Sequence, residues 1–562
     1  MLYTLLTRLL SSGPLSPDSR LRQRHPLVLE PLEDRTVPTG FLVSNSADSG
    51  TGSLRQALLD ANYNPGLDSI SFASSVHNIT LSSGELAITE SVTLQGSGAN
   101  KLSISGNDAS RVLNIHNGNV SISGLTITHG RSDKFATNLA GIGGGILNQA
   151  GASLSLVDVV LSNNQAVGDA SIITDLTGIG GYIYSGGGVG GGVANLGTLS
   201  ATTCSFVNNL ARGGDGSVGP FYPNIIYPGL ALGGGLYNLL ASATLSNCHF
   251  GMNEAQAGSN CLGSFAGIGG GGAIYNDATL NVSGSSFSHN QAFGGDDTVA
   301  DLHNGHALGG GIMSGSVTAL FGIRTASVSV SQSSFDHNQV HGGSRNTTLI
   351  PEEFLGPVDG PNTGVGGGIV IYQGSASIGQ STLDHNLARG GDGMAGQAGG
   401  MAVGGGVFFL NFIGGVTASV TNSAIHHNDA IGGTGGAGAR GGNALGGGVA
   451  LGALGGLFAG PGALTLSNST VDHNGAQGGQ GGSGGNGGNG LGGGLFNDAG
   501  STTTMTATAI THNQAKAGKG KGGGSDGVGN GGGVYYPGIF SADLASLIAY
   551  NLATTSNNDI YP

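Results

Sequence analysis

Residues 334–343 read "SFDHNQVHGG", and the meaning of Asp336, His337 and Asn338 in that stretch decides the fold. An acid, an imidazole and a carboxamide in a row could be a fragment of a site. Five more copies point elsewhere: "SFSHNQAFGG" from 286, "TLDHNLARGG" from 382, "AIHHNDAIGG" from 424, "TVDHNGAQGG" from 470 and "AITHNQAKAG" from 509. Aligned on the Asn that precedes an Ala or Val by two, the series is Asn164, Asn209, Asn253, Asn290, Asn338, Asn386, Asn428, Asn474, Asn513 and Asn551. Its spacings are 45, 44, 37, 48, 48, 42, 46, 39 and 38 residues, a repeat with insertions.

A second landmark precedes each Asn: two or three glycines and then an aliphatic residue, as in "GGGILN" at 143, "GGAIYN" at 271 and "GGGLFN" at 492. Apolar residues stand ten and eight positions before the Asn, for example Leu280 and Val282 or Leu464 and Leu466. That period of two marks a short strand with one buried face. Three before the Asn comes another apolar residue, such as Phe206, Phe250, Phe287, Phe335, Leu383, Ile425, Val471 or Ile510. The step from eight to three is odd, so a bend must reset the inward parity. Each unit then reads as three short strands joined by bends, too small to close a core alone, and must stack on its neighbours.

The expected fold is therefore all-β, a single-stranded right-handed parallel β-helix over residues 40–555. A leader over 1–39 precedes it and a tail over 556–562 follows. A helix near 52–62, with Ser53 as N-cap and Leu54, Ala57, Leu58 and Ala61 on one face, is expected to cover the open end of the first coil. Glycine fills 114 of 562 positions, without the three-residue period of collagen. Some is required by tight corners. Runs such as "GGTGGAGARGGNALGGG" and "GGQGGSGGNGGNGLGGG" exceed that need and read as loops hanging from one corner.

Eighteen Lys and Arg against 32 Asp and Glu give a net charge of −14, with no basic stripe for a nucleic acid. Three cysteines, Cys204, Cys248 and Cys261, lack any Cys-x-x-Cys spacing. Cys204 and Cys248 share a register position on adjacent coils, so either a disulfide or two small buried thiols fits. No apolar run reaches 18 residues, so no membrane-spanning helix is expected.

Beyond the repeats themselves, "FLVSNSADSGTGSLRQALLDANYNPGLDSISF" followed by "LTITHG" and units such as "GGAIYN…SSFSHNQA" resembles the right-handed β-helix proteins of the pectin-lyase-like superfold found in bacterial surface and secreted proteins, polymorphic outer-membrane passenger repeats among them. "LEPLEDRTVP" at 29–38 resembles the N-terminal signature of planctomycete exported proteins. The resemblance implies an extracellular or cell-surface protein, adhesin-like and non-catalytic, that displays glycine-rich loops toward a polysaccharide or protein partner. The same superfold also hosts polysaccharide lyases, glycoside hydrolases and carbohydrate-binding modules, which form the alternative.

Ten stacked Asn side chains satisfy buried corners better than they perform chemistry. His289, His337, His385, His427, His473 and His512 form a second file; its neighbouring acids Asp336, Asp384 and Asp472 are interrupted by Ser288, His426 and Thr511. Donors strung along a line do not converge as a metal requires. "LARGGDG" occurs twice and pairs Arg212 with Asp215 and Arg389 with Asp392 as loop-tip ions; Asp296, Asp297 and Asp301 are the densest acids. No calcium β-roll, Walker or dinucleotide motif is complete. On this reading no catalytic, metal-binding or cofactor-binding residue is assigned, and no cofactor is expected.

Overall fold

In the computed structural model the chain divides into two units, Met1–Val37 and Pro38–Pro562. The structure describes residues 39–133, 141–170, 185–221, 226–315, 326–349, 362–411, 415–452 and 460–562. The leader expected over 1–39 lies outside these, Thr39 apart.

The second unit is a right-handed parallel β-helix, and one coil shows why. Ile369–Ile371, Gly374–Gly379, Thr382–Asp384, Leu387–Arg389 and Ala402–Val403 are successive short strands. Each pairs in parallel with its equivalent one coil on: Leu383 opposite Ile425, Ala388 opposite Ala430, Ala402 opposite Ala444. The coil thus holds five strands rather than the expected three, because strands of only two or three residues are too short to carry a periodic signal.

The bends themselves are single residues in the left-handed region. One stands six before the motif Asn: Asp158, Thr203, Asn247, Gln332, Gln380, Asn422, Asn468 and Ala507, with φ between 45° and 55°. The other stands one before it: Asn163, Asn208, Met252, His289, His337, His385, His427, His473 and His512, with φ between 51° and 56°. Asn, Asp and His enter this region several-fold more readily than other non-glycine residues. The Asp-His-Asn triplet is therefore a corner: the strand ends on the acid, turns on the His and continues from the Asn.

Inside, files of equivalent side chains make the core. Phe206, Phe250, Phe287 and Phe335 stack at ring separations of 4.4, 4.9 and 4.4 Å and are fully buried. Burying each ring contributes about 1.5–3 kcal/mol, and each stacked pair about 0.5–1.5 more. Leu383, Ile425, Val471 and Ile510 continue the file. Beside it, Asn386 Nδ2 donates to Phe335 O and Asn428 Oδ1, both at 2.9 Å, while its Oδ1 accepts from Asn338 N and Nδ2 at 3.0 and 2.9 Å. The same bonds link each described member from Asn164 to Asn551. A third file runs five before the Asn, where Ser285, Ser333, Ser381 and Ser423 Oγ each accept the N–H of the preceding coil. Cys204 and Cys248 precede the serines in this file as buried thiols, not joined in a disulfide, that donate to Thr202 O and to Ala201 O and Ser246 O.

The first coil is closed by a helix over Leu54–Tyr63, two residues later than expected at its start. Ser53 is its N-cap, accepting from Gln56 N, and Leu54, Ala57, Leu58 and Ala61 are its buried face. At the other end the boundary expected at 555 moves outward. Ile560–Tyr561 pairs with Val534–Tyr535, and Asp559 Oδ1 accepts from Asn551 N and Nδ2, so the helical path includes the expected tail.

The long glycine runs are not hanging loops. Gly391, Gly433, Gly479 and Gly518 form one file, Gly400, Gly442, Gly488 and Gly527 another. Their amides alternate between the two: Gly400 N donates to Gly391 O, Gly433 N to Gly400 O, Gly442 N to Gly433 O and Gly479 N to Gly442 O, all at 2.8–2.9 Å. A Cβ on Gly433 would sit 1.9 Å from Gly391 O, and one on Gly442 1.9 Å from Gly400 O. The glycines are required because main chain packs directly on main chain, a fin of stacked extended arms along one side of the rod.

Candidate functional site

Three and six residues after the motif Asn, outward-facing side chains form two further files. The first runs Arg212, Gln256, Phe293, His341, Arg389, each registered directly against the next. The second runs Asp215, Ser259, Asp296, Ser344, Asp392, held by reciprocal bonds between coils. Asp215 Oδ1 accepts from Ser259 N at 2.9 Å, Asp296 Oδ1 from Ser344 N at 2.7 Å and Asp392 Oδ1 from Thr434 N at 2.8 Å. Ser259 Oγ and Ser344 Oγ in turn accept from Asp296 N and Asp392 N.

Between the two files lies a cleft of about 330 Å³ spanning four coils, from Gln256 to Asp392. Its floor is glycine main chain: Gly294, Gly342, Gly390 and Gly391. A Cβ on Gly391 would meet Gly343 O at 1.8 Å, so this floor carries no side chains by necessity. One wall carries an aromatic plate, Phe293 stacked on His341 at 5.3 Å. His341 shares a hydrogen bond with Gln339 Oε1 at 3.0 Å. Burial, and then the Arg389 guanidinium, hold its pKa below the ordinary histidine value, so the ring is neutral near pH 7.

The two "LARGGDG" loops behave differently. Arg212 pairs with Asp215 at 3.0 Å, as expected. The pairing expected of Arg389 with Asp392 does not form: Asp392 is engaged with Thr434 N, and among the described residues no carboxylate lies within ion-pair distance of Arg389. The guanidinium instead faces the cleft, exposed. Among the dense acids, Asp297 is bonded twice by Arg345, at 2.8 and 2.6 Å, which outweighs burial and keeps its carboxyl below the usual range. Asp296 lines the cleft and Asp301 lies on the strand Val299–Asn304. The sequence did carry a signal for this wall, Asp or Ser at a constant six residues after the Asn, hidden because the two residue types alternate.

The histidine file is a stack. His289, His337, His385, His427, His473 and His512 lie ring on ring at 4.8–5.2 Å. A second hollow, about 410 Å³, lies on an outward sheet face among Asn281, Ser327, Ser329, Ser377 and Thr465 and carries no charged or aromatic side chain. No helix of the described residues is long and apolar enough to cross a membrane.

No family model matches the chain. No curated protein matches it either. Among solved structures, the chain is similar to the Azotobacter vinelandii mannuronan C-5 epimerase AlgE6 A-module, at 12% identity and TM-score 0.37, over 91% of this chain and 100% of that one. It is also similar to the catalytic unit of the thermostable GH87 alpha-1,3-glucanase from Streptomyces thermodiastaticus, at 12% identity and TM-score 0.35, over 92% of this chain and 70% of that one. At this level of overlap neither likeness bears on the chemistry of this chain.

Proposed function

We propose that the protein is a non-catalytic, carbohydrate-binding β-helical rod, exported to the cell surface or beyond, that holds an extended acidic polysaccharide in the cleft between Gln256 and Asp392. One observation carries this reading: Arg389, with no carboxylate partner among the described residues, lines a cleft that also offers an aromatic plate and a wall of oriented hydroxyl and carboxylate oxygens. A guanidinium recognises a sugar carboxylate through two parallel hydrogen bonds. The Phe293–His341 pair presents a flat apolar edge to a sugar ring, and Gln256, Ser259, Ser344 and Asp392 exchange hydrogen bonds with ring hydroxyls. Equivalent side chains recur at the strand spacing, about 4.8 Å, which suits a ligand that is itself a linear repeat. Export rests on the leader's resemblance alone.

Binding rather than turnover is favoured because Asp296 and Asp392 are two coils apart, about 10 Å by the strand spacing, and each already accepts a backbone N–H. The test is affinity electrophoresis against acidic and neutral polysaccharides, with assays for reducing ends and unsaturated products run alongside. Acidic chains should retard the protein and Arg389→Ala should abolish the retardation. Equal retardation of the variant, or no retardation by any acidic chain, would overturn the reading. Turnover that disappears in Asp296→Asn or Asp392→Asn would make the protein an enzyme instead.

A further inference from the structure

The acids and imidazoles beside the motif Asn do not repeat identically. In two coils the acid bonds the His that follows it: Asp336 Oδ1 with His337 Nδ1 and Asp472 Oδ2 with His473 Nδ1, both at 2.8 Å. Between those coils the pattern changes, because His426 stands where an acid would be and is registered directly against Asp384. Asp384 Oδ1 then lies 2.8 Å from His385 Nδ1, 2.9 Å from His426 Nδ1 and 3.3 Å from His427 Nδ1. His426 Nδ1 and His427 Nδ1 are 3.1 Å apart. The replacement that interrupts the acid file is what gathers three imidazole nitrogens around one carboxylate oxygen.

The His426–His427 contact is a hydrogen bond. Asp384 Oδ1, by contrast, is shut from solvent and, among the described residues, has no well-aligned donor despite these short approaches. A carboxylate oxygen in that state lacks the partner that burial normally demands. The donor atoms of Asp384, His385 and His427 also lie within 4.8 Å of one another. For a zinc ion bound at about 2.0–2.1 Å, a tetrahedron of ligands has edges of about 3.3 Å. Asp384 Oδ1 lies 2.8 Å from His385 Nδ1 and 3.3 Å from His427 Nδ1, near those edges. Ring stacking of His385 on His337 at 4.9 Å and on His427 at 4.8 Å, with His427 on His473 at 5.2 Å, holds the imidazoles in place beforehand. The imidazoles of His385 and His427 are about half exposed, at 48% and 47%, which leaves a way in for an ion.

We infer that Asp384, His385 and His427 form a binding site for one divalent cation of the zinc type, with its fourth position open to water. Two imidazole nitrogens and a carboxylate oxygen suit borderline ions such as Zn²⁺, Co²⁺ or Ni²⁺ rather than Ca²⁺ or Mg²⁺, which require oxygen ligands. Asp336, His337 and His385 form a second grouping. There Asp336 Oδ1 is already bonded to His337 Nδ1, so it is the weaker. The site does not depend on the polysaccharide cleft, since it shares no residue with it.

The whole chain, stripped with a chelator and dialysed, would be titrated with Zn²⁺ against a chromophoric competitor and with Co²⁺ followed by visible absorption. One equivalent should bind, with the intense visible bands of a tetrahedral Co²⁺ complex. His427→Asn and Asp384→Asn should weaken binding by about tenfold or more, the scale seen even for an outer partner of a metal ligand. His473→Asn, outside the site, should bind as the parent does. Thermal melts guard against misfolding: Zn²⁺ should raise the midpoint of the parent and of His473→Asn but not of His427→Asn. No stoichiometric binding, octahedral Co²⁺ bands, or equal affinity in the parent and His427→Asn would overturn the site.

Discussion

At the residue scale, the Asp-His-Asn corner separates two jobs that the sequence places side by side. Asn386 is 1% exposed and engaged in four side-chain hydrogen bonds, whereas the ring of His385 is half exposed. Asn386→Ala strands Asn338 N and Phe335 O inside the corner, and each unmet buried group costs about 1–3 kcal/mol. Urea melts in the absence of metal should therefore show a loss of about 2 kcal/mol or more for Asn386→Ala. His385→Asn should stay within about 0.5 kcal/mol, because Asn163 and Asn208 take the same bend. An Ala at that bend would be a poorer control, since φ is 51° there and the left-handed region costs a residue with Cβ about 1–2 kcal/mol. The Asn ladder was legible because ten copies at one offset betray a structural role. The convergence on Asp384 was not, since a lone His426 reads in sequence as a gap in a file and only the register between coils turns it inward.

At the element scale, the N-terminal helix depends on an acid outside it. Burial would raise the pKa of Asp48, but hydrogen bonds from Ser83, Arg55 and Ser82 outweigh it and hold the carboxyl well below its usual range. They tie the segment before the helix both to the helix and to the first coil. A carboxyl depressed in the folded state stabilises fully above its unfolded value, about 3.9, and loses that contribution as pH falls through the folded value. Urea midpoints measured from pH 5 down to pH 2 should fall, and Asp48→Asn should flatten that fall while being less stable than the parent at pH 5. A variant with the parent's full slope would show that Asp48 does not govern it. The helix itself was legible from Ser53 and the spacing of four small apolar residues. Its tie through Asp48 was not, because the partners Ser82 and Ser83 are more than 30 residues away. Likewise the parity step foretold a bend between eight and three residues before the Asn, where the structure puts it at six, while two-residue strands such as Ala402–Val403 left no periodic trace.

At the scale of the whole molecule, the glycine fin shows how composition can mislead. Read alone, runs of glycine signal slack chain; stacked in register, they let carbonyl and amide meet where any Cβ would collide. Gly433→Ala should therefore cost about 1–3 kcal/mol, as overpacking does, and open the fin to protease. Gly438→Asn, at a tip with no atom within 4 Å of its Cβ and φ 80°, should cost less and leave cleavage unchanged, because Asn enters the left-handed region readily. Equal sensitivity of the two would refute the packing. The fin also has a border. Its inner arms are buried by the next layer, but the arms around Lys519–Asp526 are the last, with Lys519, Lys521 and Ser525 exposed. A flat outer layer of main chain is a template for a second molecule unless its groups are used. Here Gly520 N donates to Asp526 Oδ1, Ser525 N to Asn486 Oδ1 and Lys521 N to Gly485 O, and Lys519 pairs with Asp526 at 2.8 Å. Asp526 thus occupies an amide and a cation of the border at once. With Asp526 changed to Ala both are released, and molecules should begin to join border to border, which sedimentation velocity would register as faster species absent from the parent.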